Sequence, residues 1–438
     1  MTTVTLTKDQ DKAADAFLQF LLDPNENEFA LQGFSGCGKT FLTQHLIELA
    51  ETQADLLQTI LDSPNPIEIV LTALTHKAAA AIHEATGIEA NTIHSFLGLT
   101  VYDDYQNGRT KLRKTKDYKV AENTILFIDE ASMADDSLLQ MIRESTYHCK
   151  VVYILDPKQL LPVFENKCPV DETVNLKATL SEIVRQKQNS PIAALGAQLR
   201  EAIDGGEFPD LTQNTPETQH MEGKAFQNAV DAHFTDPDYD PANVKILAWS
   251  NNRVSDYNNY VRALHYQSPL YQPGERLIAN SVIKNVERVI FSNEEPLRVI
   301  SSVEDELYGI KGQLVKVESV FPKKHNNKHS LFVPFRLAEA NHYLKVLKKE
   351  ALASGLWGDY YRVKEAFCDL RPAYASTVHK SQGSTFHTVF IDLSDIGRNN
   401  KREEVARLLY VAITRATTRV FFYGQLPEKY QPSKQDAT

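Results

Sequence analysis

Gly33-Phe34-Ser35-Gly36-Cys37-Gly38-Lys39-Thr40 is the stretch on which the fold turns. It has the spacing GxxxxGK[ST]. The apolar run Phe29-Ala30-Leu31 precedes it, and residues 41–50 after it have the pattern of a helix. Strand, glycine loop and helix in that order make a phosphate-binding loop. Glycines let backbone N–H groups curl around phosphate oxygens, and the helix N-terminus adds its partial positive charge. Gly33, Ser35, Gly36, Cys37 and Gly38 would form the cradle, Lys39 would reach the β- and γ-phosphates, and the Thr40 hydroxyl would hold magnesium.

A phosphate loop that hydrolyses needs acids for the metal and the attacking water. Thr124-Ile125-Leu126-Phe127-Ile128-Asp129-Glu130 ends a buried strand in two carboxylates. Such a pair is costly to bury without a cationic partner. Asp129 is expected to bind magnesium and Glu130 to polarise water. Together with the loop, they predict NTP hydrolysis rather than binding alone.

Farther out, apolar runs at 67–71 and 151–155 alternate with helical patterns such as the alanine-rich 77–85. Continuous apolar runs separated by helices predict a parallel sheet covered on both faces. The pattern resumes with strands near 244–249, 389–393 and 420–423 and helices near 255–264 and 405–413. Between them, 277–278, 286–291, 313–320 and 331–337 are short alternating runs with polar turns, which suit a small antiparallel barrel inserted into a second α/β domain.

The chain has 438 residues, room for two or three domains, with 42% hydrophobic and 24% charged residues. No run approaches the ~18 apolar residues of a membrane span. The opening MTTVTLTKDQDKAAD has no basic stretch followed by an apolar one, so no secretory signal is expected. Cys37, Cys149, Cys168 and Cys368 are scattered without metal-ligand spacing. A reduced, cytoplasmic setting without disulfides or a structural zinc is expected.

Further motifs fall in a fixed order. Leu6-Thr7-Lys8-Asp9-Gln10 precedes the first helix. Leu71-Thr72-Ala73-Leu74-Thr75-His76-Lys77 and Thr92-Ile93-His94-Ser95-Phe96 follow the second strand. Asp156-Pro157-Lys158-Gln159-Leu160-Leu161-Pro162-Val163 comes after the acidic motif. Ala375-Ser376-Thr377-Val378-His379-Lys380-Ser381-Gln382-Gly383 and Leu409-Tyr410-Val411-Ala412-Ile413-Thr414-Arg415-Ala416 lie in the second half. This set resembles superfamily 1 DNA helicases of the 5′→3′ branch (superfamily 1B), in the group of RecD and the bacteriophage Dda helicase, over nearly the whole chain. One departure is Leu155, where that family usually has a glycine.

The resemblance implies an α/β chain of two RecA-like P-loop domains with parallel sheets. A β-hairpin is inserted in the first domain and an SH3-like β-barrel in the second. The expected bounds are 1–180 for the first domain, with the hairpin at about 97–121. The second takes 181–265 and 370–430, and 266–369 is the inserted barrel with a helical extension. ATP and Mg2+ are the implied cofactors. By resemblance, Gln10 reads the adenine edge, Gln159 senses the γ-phosphate, Gly383 borders the nucleotide, and Arg185 and Arg415 are arginine fingers.

Single-stranded and fork DNA are the implied partners. A single-strand-binding protein or replisome component is a further one, and the motor is expected to be monomeric. By resemblance, Thr75, His76 and Thr92 contact the strand from the first domain, and Asn251, Thr377 and His379 from the second. Trp357 and Tyr361 are four residues apart, so on a helix they would share a face and could stack on bases. Asn107-Gly108 is a hairpin signal where that family carries its duplex-splitting pin. The eleven residues 109–119 that follow hold six basic residues and one acid.

An RNA helicase or NTPase of superfamily 1 is the alternative that these motifs leave open. A small-molecule kinase fits poorly, having no need of a second motor-like block, and a scaffold would have no need of Glu130, Gln159 and the arginines. The net charge is −10, an uninviting total for a polyanion's partner. Residues 201–240 account for most of it, with ten acids and one base, leaving 46 basic and 47 acidic groups over the other 398 residues. A body near neutrality, with that acidic stretch turned from the track, suits a motor that must release DNA at every step.

Overall fold

The computed structural model describes residues 6–60, 65–104, 109–162, 165, 167–184, 190–285, 288–320 and 328–432. The apolar runs form strands whose alternate residues serve two cores. Ile125 and Phe127 point into one with Phe17, Phe29 and Leu46, while Leu126 and Ile128 point into another with Leu97, Leu139 and Tyr153. Burial on both faces is what a continuous apolar run means.

One parallel sheet takes six strands: β1 Glu28–Gly33, β2 Glu68–Ala73, β3 Ala90–Thr92, β4 Thr124–Asp129, β5 Lys150–Leu155 and β6 Leu176–Leu180. Their order is β6-β1-β5-β4-β2-β3, every pair parallel. Helix α1 Lys8–Leu22 opens with a capping box in which Thr7 and Gln10 bond each other's backbone N–H. Helices α2 Lys39–Thr52 and α3 His76–Thr86 follow β1 and β2. Between β3 and β4, Leu99–Asp104 pairs antiparallel with Arg109–Lys114 as a hairpin, whose Asn107-Gly108 tip lies outside the described residues. Leu155 ends β5 fully buried, so the strand runs to its last residue before turning at Asp156.

A second parallel sheet is built from β7 Thr218–Met221 and β8 Val244–Ala248, with three strands from the end of the chain. Before those return, the chain makes an antiparallel unit: β9 Arg276–Ala279, β10 Pro296–Leu307, β11 Ile310–Ser319, β12 Lys328–Pro334 and β13 Leu370–Pro372, in the order β12-β11-β10-β9-β13. The second sheet is completed by β14 Ala375–Thr377, β15 Phe386–Asp392 and β16 Ala416–Tyr423, giving β7-β16-β15-β8-β14. Val389 and Ile391 face one core and Phe390 the other, as in the first sheet. Helices α4 Pro191–Ile203, α5 Asn251–His265 and α8 Arg402–Thr414 belong to this half, and α6 Leu337–Ser354 and α7 Gly358–Ala366 extend the antiparallel unit. Among the described residues, no helix is long and apolar enough to cross a membrane.

One side chain fixes the return from the antiparallel unit into the second sheet. Asn258 on α5 is 3% exposed. Its Oδ1 accepts from the Tyr374 and Ala375 N–H groups at 3.0 and 2.9 Å, and its Nδ2 donates to the Ala375 carbonyl at 3.2 Å. Asn258→Ala leaves those backbone groups unpaired in the interior and should cost about 2–4 kcal/mol, read as a lower urea midpoint at unchanged m-value.

Candidate functional site

Both parallel sheets contribute to one cavity of about 370 Å3. From the first come Ser35, Gly36, Gly38, Lys39 and Thr40 of the loop after β1, Asp129 and Glu130 at the end of β4, and Gln159 beyond β5. From the second come Gly383, Thr385 and Arg415. The loop is held open by its glycines: Gly38 is left-handed at φ 82°, and a Cβ there would lie 2.7 Å from the Gln10 amide. Lys39 Nζ donates to the Gly33 and Phe34 carbonyls at 2.8 and 3.2 Å. The loop thus bends round its own ammonium, in a cradle that suits phosphate.

Burial and the neighbouring Glu130 carboxylate hold the Asp129 carboxyl well above the usual range. A cation beside the pair would relieve both effects. Thr40 and Asp129, a hydroxyl and a carboxylate on one wall, are hard oxygen donors of the kind magnesium takes. Glu130 is left-handed at φ 54°, a strained setting for a residue with a Cβ. A Cβ on Gly383 would lie 3.9 Å from the Glu130 carboxylate, so the second sheet's loop closes down on the acid from above.

Arg415 is 5% exposed, with Nε donating to the Val411 carbonyl at 3.1 Å and Nη1 to the Ser384 carbonyl at 3.1 Å. Its guanidinium is thus held by its own half of the chain at the wall of the cavity. Gln159 is 2% exposed, and its Oε1 accepts from Gln382 Nε2 at 3.2 Å. Arg407 Nη1 donates to the Pro157 and Gln159 carbonyls at 2.8 and 2.7 Å. The Asp156–Gln159 turn is therefore gripped by the second half.

Three residues expected to bind the nucleotide do not line the cavity. Gly33 and Cys37 lie beneath the loop, Cys37 being 1% exposed. Gln10 is 3% exposed, and its amide bonds Thr7 N at 3.0 Å and the Cys37 carbonyl at 3.4 Å. Arg185 lies outside the described residues; Val184 just before it lines the cavity, and its N–H donates to the Gly36 carbonyl at 2.9 Å.

The expected strand contacts share a local design. Thr75, Thr92 and Thr377 each end or follow a strand, and each hydroxyl caps the next helical turn, accepting from Ala78, Ser95 and Lys380 N–H at 3.1, 3.1 and 3.3 Å. Ser250 does the same for Arg253 N–H at 3.3 Å, at the turn that presents Asn251. Ala73 pairs with Thr92 across β2 and β3, and Ala248 with Thr377 across β8 and β14, so the caps sit at neighbouring strand ends in each sheet. Capped helix starts offer N–H groups to anions. His76 is exposed at the first of them. His379 lines a groove of about 590 Å3 with Leu160, Pro162 and Arg407, and burial lowers its pKa.

Trp357 and Tyr361 belong instead to the antiparallel unit. Their rings are 5.9 Å apart at the start of α7, and Tyr360, 7% exposed, packs against both. Lys380 ties that unit to the second sheet's loop, reaching Glu294 and Asn280 at 2.5 and 2.6 Å.

The AAA domain family matches residues 5–213, and the UvrD-like helicase C-terminal domain matches residues 372–423. The chain is 24% identical over 469 residues to the ATP-dependent DNA helicase Dda of Enterobacteria phage T4, covering 96% of this chain and 100% of that one. Two solved Pif1 helicases share the fold at 15% identity and a TM-score of 0.50. The one from Candida albicans covers 99% of this chain and is itself covered to 98%. The one from Bacteroides, solved with ADP-AlF3 and single-stranded DNA, gives 98% and 94%.

Proposed function

We infer that this chain is an ATP-dependent DNA helicase of superfamily 1B, of the kind of its relative Dda. ATP with Mg2+ binds between the two parallel sheets, and its hydrolysis drives the chain 5′→3′ along single-stranded DNA, separating the duplex ahead. The observation that carries this reading is the single cavity with a phosphate loop and two acids on one wall and Arg415 on the other.

In this reading Lys39 exchanges its two loop carbonyls for phosphate oxygens. Thr40 and Asp129 hold the metal, which neutralises phosphate charge when bound. Glu130 orients water and takes its proton. Arg415 meets the charge that develops on the transferring phosphoryl group, with Arg185 as its partner in that role. Gln10 sets the base preference once its amide turns from Thr7 and Cys37. The bounds 1–180, 181–265 with 370–430, and 266–369 then describe two motor domains and an insertion.

The strand would run over the capped helix starts at Thr75, Thr92, Asn251 and Thr377, beside His76 and His379. Trp357 and Tyr361 would stack on bases from the insertion. The Gln159–Gln382 contact joins the cavity to this edge, because Gln382 lies in the turn-rich stretch that follows Thr377, the last residue of β14. Closing on ATP and reopening after hydrolysis would alternate the grip, a hinge motion coupled to a ligand. The protein is expected to work as a monomer in the cytoplasm, on fork DNA, alongside a single-strand-binding protein or replisome component.

The test is unwinding of 5′-tailed against 3′-tailed duplexes with ATP and magnesium, alongside ATPase stimulation by DNA and by RNA of equal length. Separation of the 5′-tailed duplex and stimulation by DNA are expected. Separation of the 3′-tailed duplex alone refutes the polarity, and an ATPase indifferent to DNA refutes the motor.

A further inference from the structure

Tyr410 stands in the middle of α8, fully buried among apolar residues, yet its hydroxyl is not in the core's service. It crosses from the second half of the chain to the phosphate loop of the first. The oxygen accepts from the Ser35 N–H at 3.0 Å, and the hydroxyl donates to Asp156 Oδ2 at 2.8 Å. Asp156 is also fully buried, and its other oxygen accepts from Lys158 N–H at 3.0 Å, which shapes the turn that carries Gln159. Burial and the Asp156 carboxylate push the phenol well above its usual range, so it stays protonated and keeps donating. A second contact runs the same way: the Arg200 guanidinium of α4 sits 4.3 Å from the centre of the Phe34 ring, next to Ser35.

Ser35 lines the cavity, and backbone N–H groups of a phosphate loop are the groups that take up phosphate oxygens. Tyr410 does not line the cavity, so its hydroxyl holds the Ser35 N–H from behind and sets how the loop is presented. We propose that Tyr410 is a positioning residue that couples the phosphate loop to the Gln159 turn: its one hydroxyl holds Ser35 N–H on one side and Asp156 on the other, so the two loops keep a fixed relation to α8. A hydroxyl bonded to both makes a movement of the phosphate loop a movement of α8 and of the Asp156 turn as well. Gln159, Gln382 and the DNA-facing stretch after β14 move with it, since they bond one another. The inference rests on the helicase reading and adds to it the residue that links the loop to the second half.

The experiment is steady-state ATPase of the full chain with and without single-stranded oligo(dT), for wild type, Tyr410→Phe and Asp156→Asn. Tyr410→Phe removes one oxygen and fills the same space. The expected result is a fall of about tenfold in the ratio of DNA-stimulated to DNA-free kcat, with no rise in the KM for ATP, because Tyr410 does not line the cavity. Asp156→Asn removes the charge and leaves one acceptor oxygen where the Tyr410 hydroxyl and the Lys158 N–H each use one, so the bridge is weakened and the ratio should fall by about threefold. An unchanged ratio in Tyr410→Phe overturns the proposal, as does a tenfold rise in KM, which would make the hydroxyl only a prop for the loop. Should Tyr410→Phe lose its cooperative unfolding transition, Asp156→Asn decides alone: a lower ratio supports the proposal and a wild-type ratio overturns it. Wild type that DNA fails to stimulate defeats the helicase reading itself, whereas stimulated wild type matched by Tyr410→Phe defeats this inference alone.

Discussion

Lys39→Ala should lower ATP turnover by about 10³-fold or more while the protein stays folded. The ammonium is the one strong positive charge within the phosphate loop, and removal of a donor aimed at developing charge costs ~10² to 10³ in rate by itself. Here a full charge goes as well. Its present partners are the loop's own Gly33 and Phe34 carbonyls, at a site only part-buried, so little structure depends on it. The check pairs ATPase with circular dichroism and a thermal melt. A native melt with lost hydrolysis is expected; native melt with retained hydrolysis refutes the assigned site.

Arg415→Ala should give the second large loss, about 10³-fold in DNA-stimulated kcat, the lower end of what arginine fingers supply in other P-loop enzymes. ATP binding should hold, because the cradle belongs to the other sheet. This variant carries a structural cost that Lys39→Ala does not. The guanidinium satisfies the Val411 and Ser384 carbonyls in a buried place, and their loss should destabilise by about 1–3 kcal/mol. A urea midpoint taken beside the kinetics separates the two effects. Arg415→Lys should not restore the rate, since an ammonium cannot hold both carbonyls and face the cavity in one planar fork. Restoration by lysine would assign Arg415 a purely charge-balancing part.

Gly33 to Thr40 and the Asp129-Glu130 strand end were readable because local chemistry dictates them. Glycines in a loop between strand and helix have few other uses, and two acids after a buried run need a cation. Tyr410 is the opposite case. It stands in a quoted motif, but an aromatic inside an apolar helix reads as core, and its ring is core. Only the hydroxyl does otherwise, and its partners Ser35 and Asp156 lie 375 and 254 residues away in the chain. Gln10 shows a similar limit: its place before the phosphate loop was legible, whereas its amide's bonds to Thr7 and Cys37 depend on how α1 docks. Thr75, Thr92 and Thr377 were read as strand contacts, but not as caps of one recurring design.

The sequence by itself determined the two parallel sheets, the inserted antiparallel strands and the phosphate loop. Periodicity, glycine placement and the position of charge at strand ends act within a few residues, and those ranges survive any change in how the halves meet. Only the tertiary structure decided that Gly383 and Arg415 face Glu130 and Lys39 across one cavity, and that Tyr410, Arg407 and Gln382 hold the first half's loops. Those contacts join residues more than 200 apart. Their partners are set by the docking of one sheet's strand ends against the other, which no local pattern encodes.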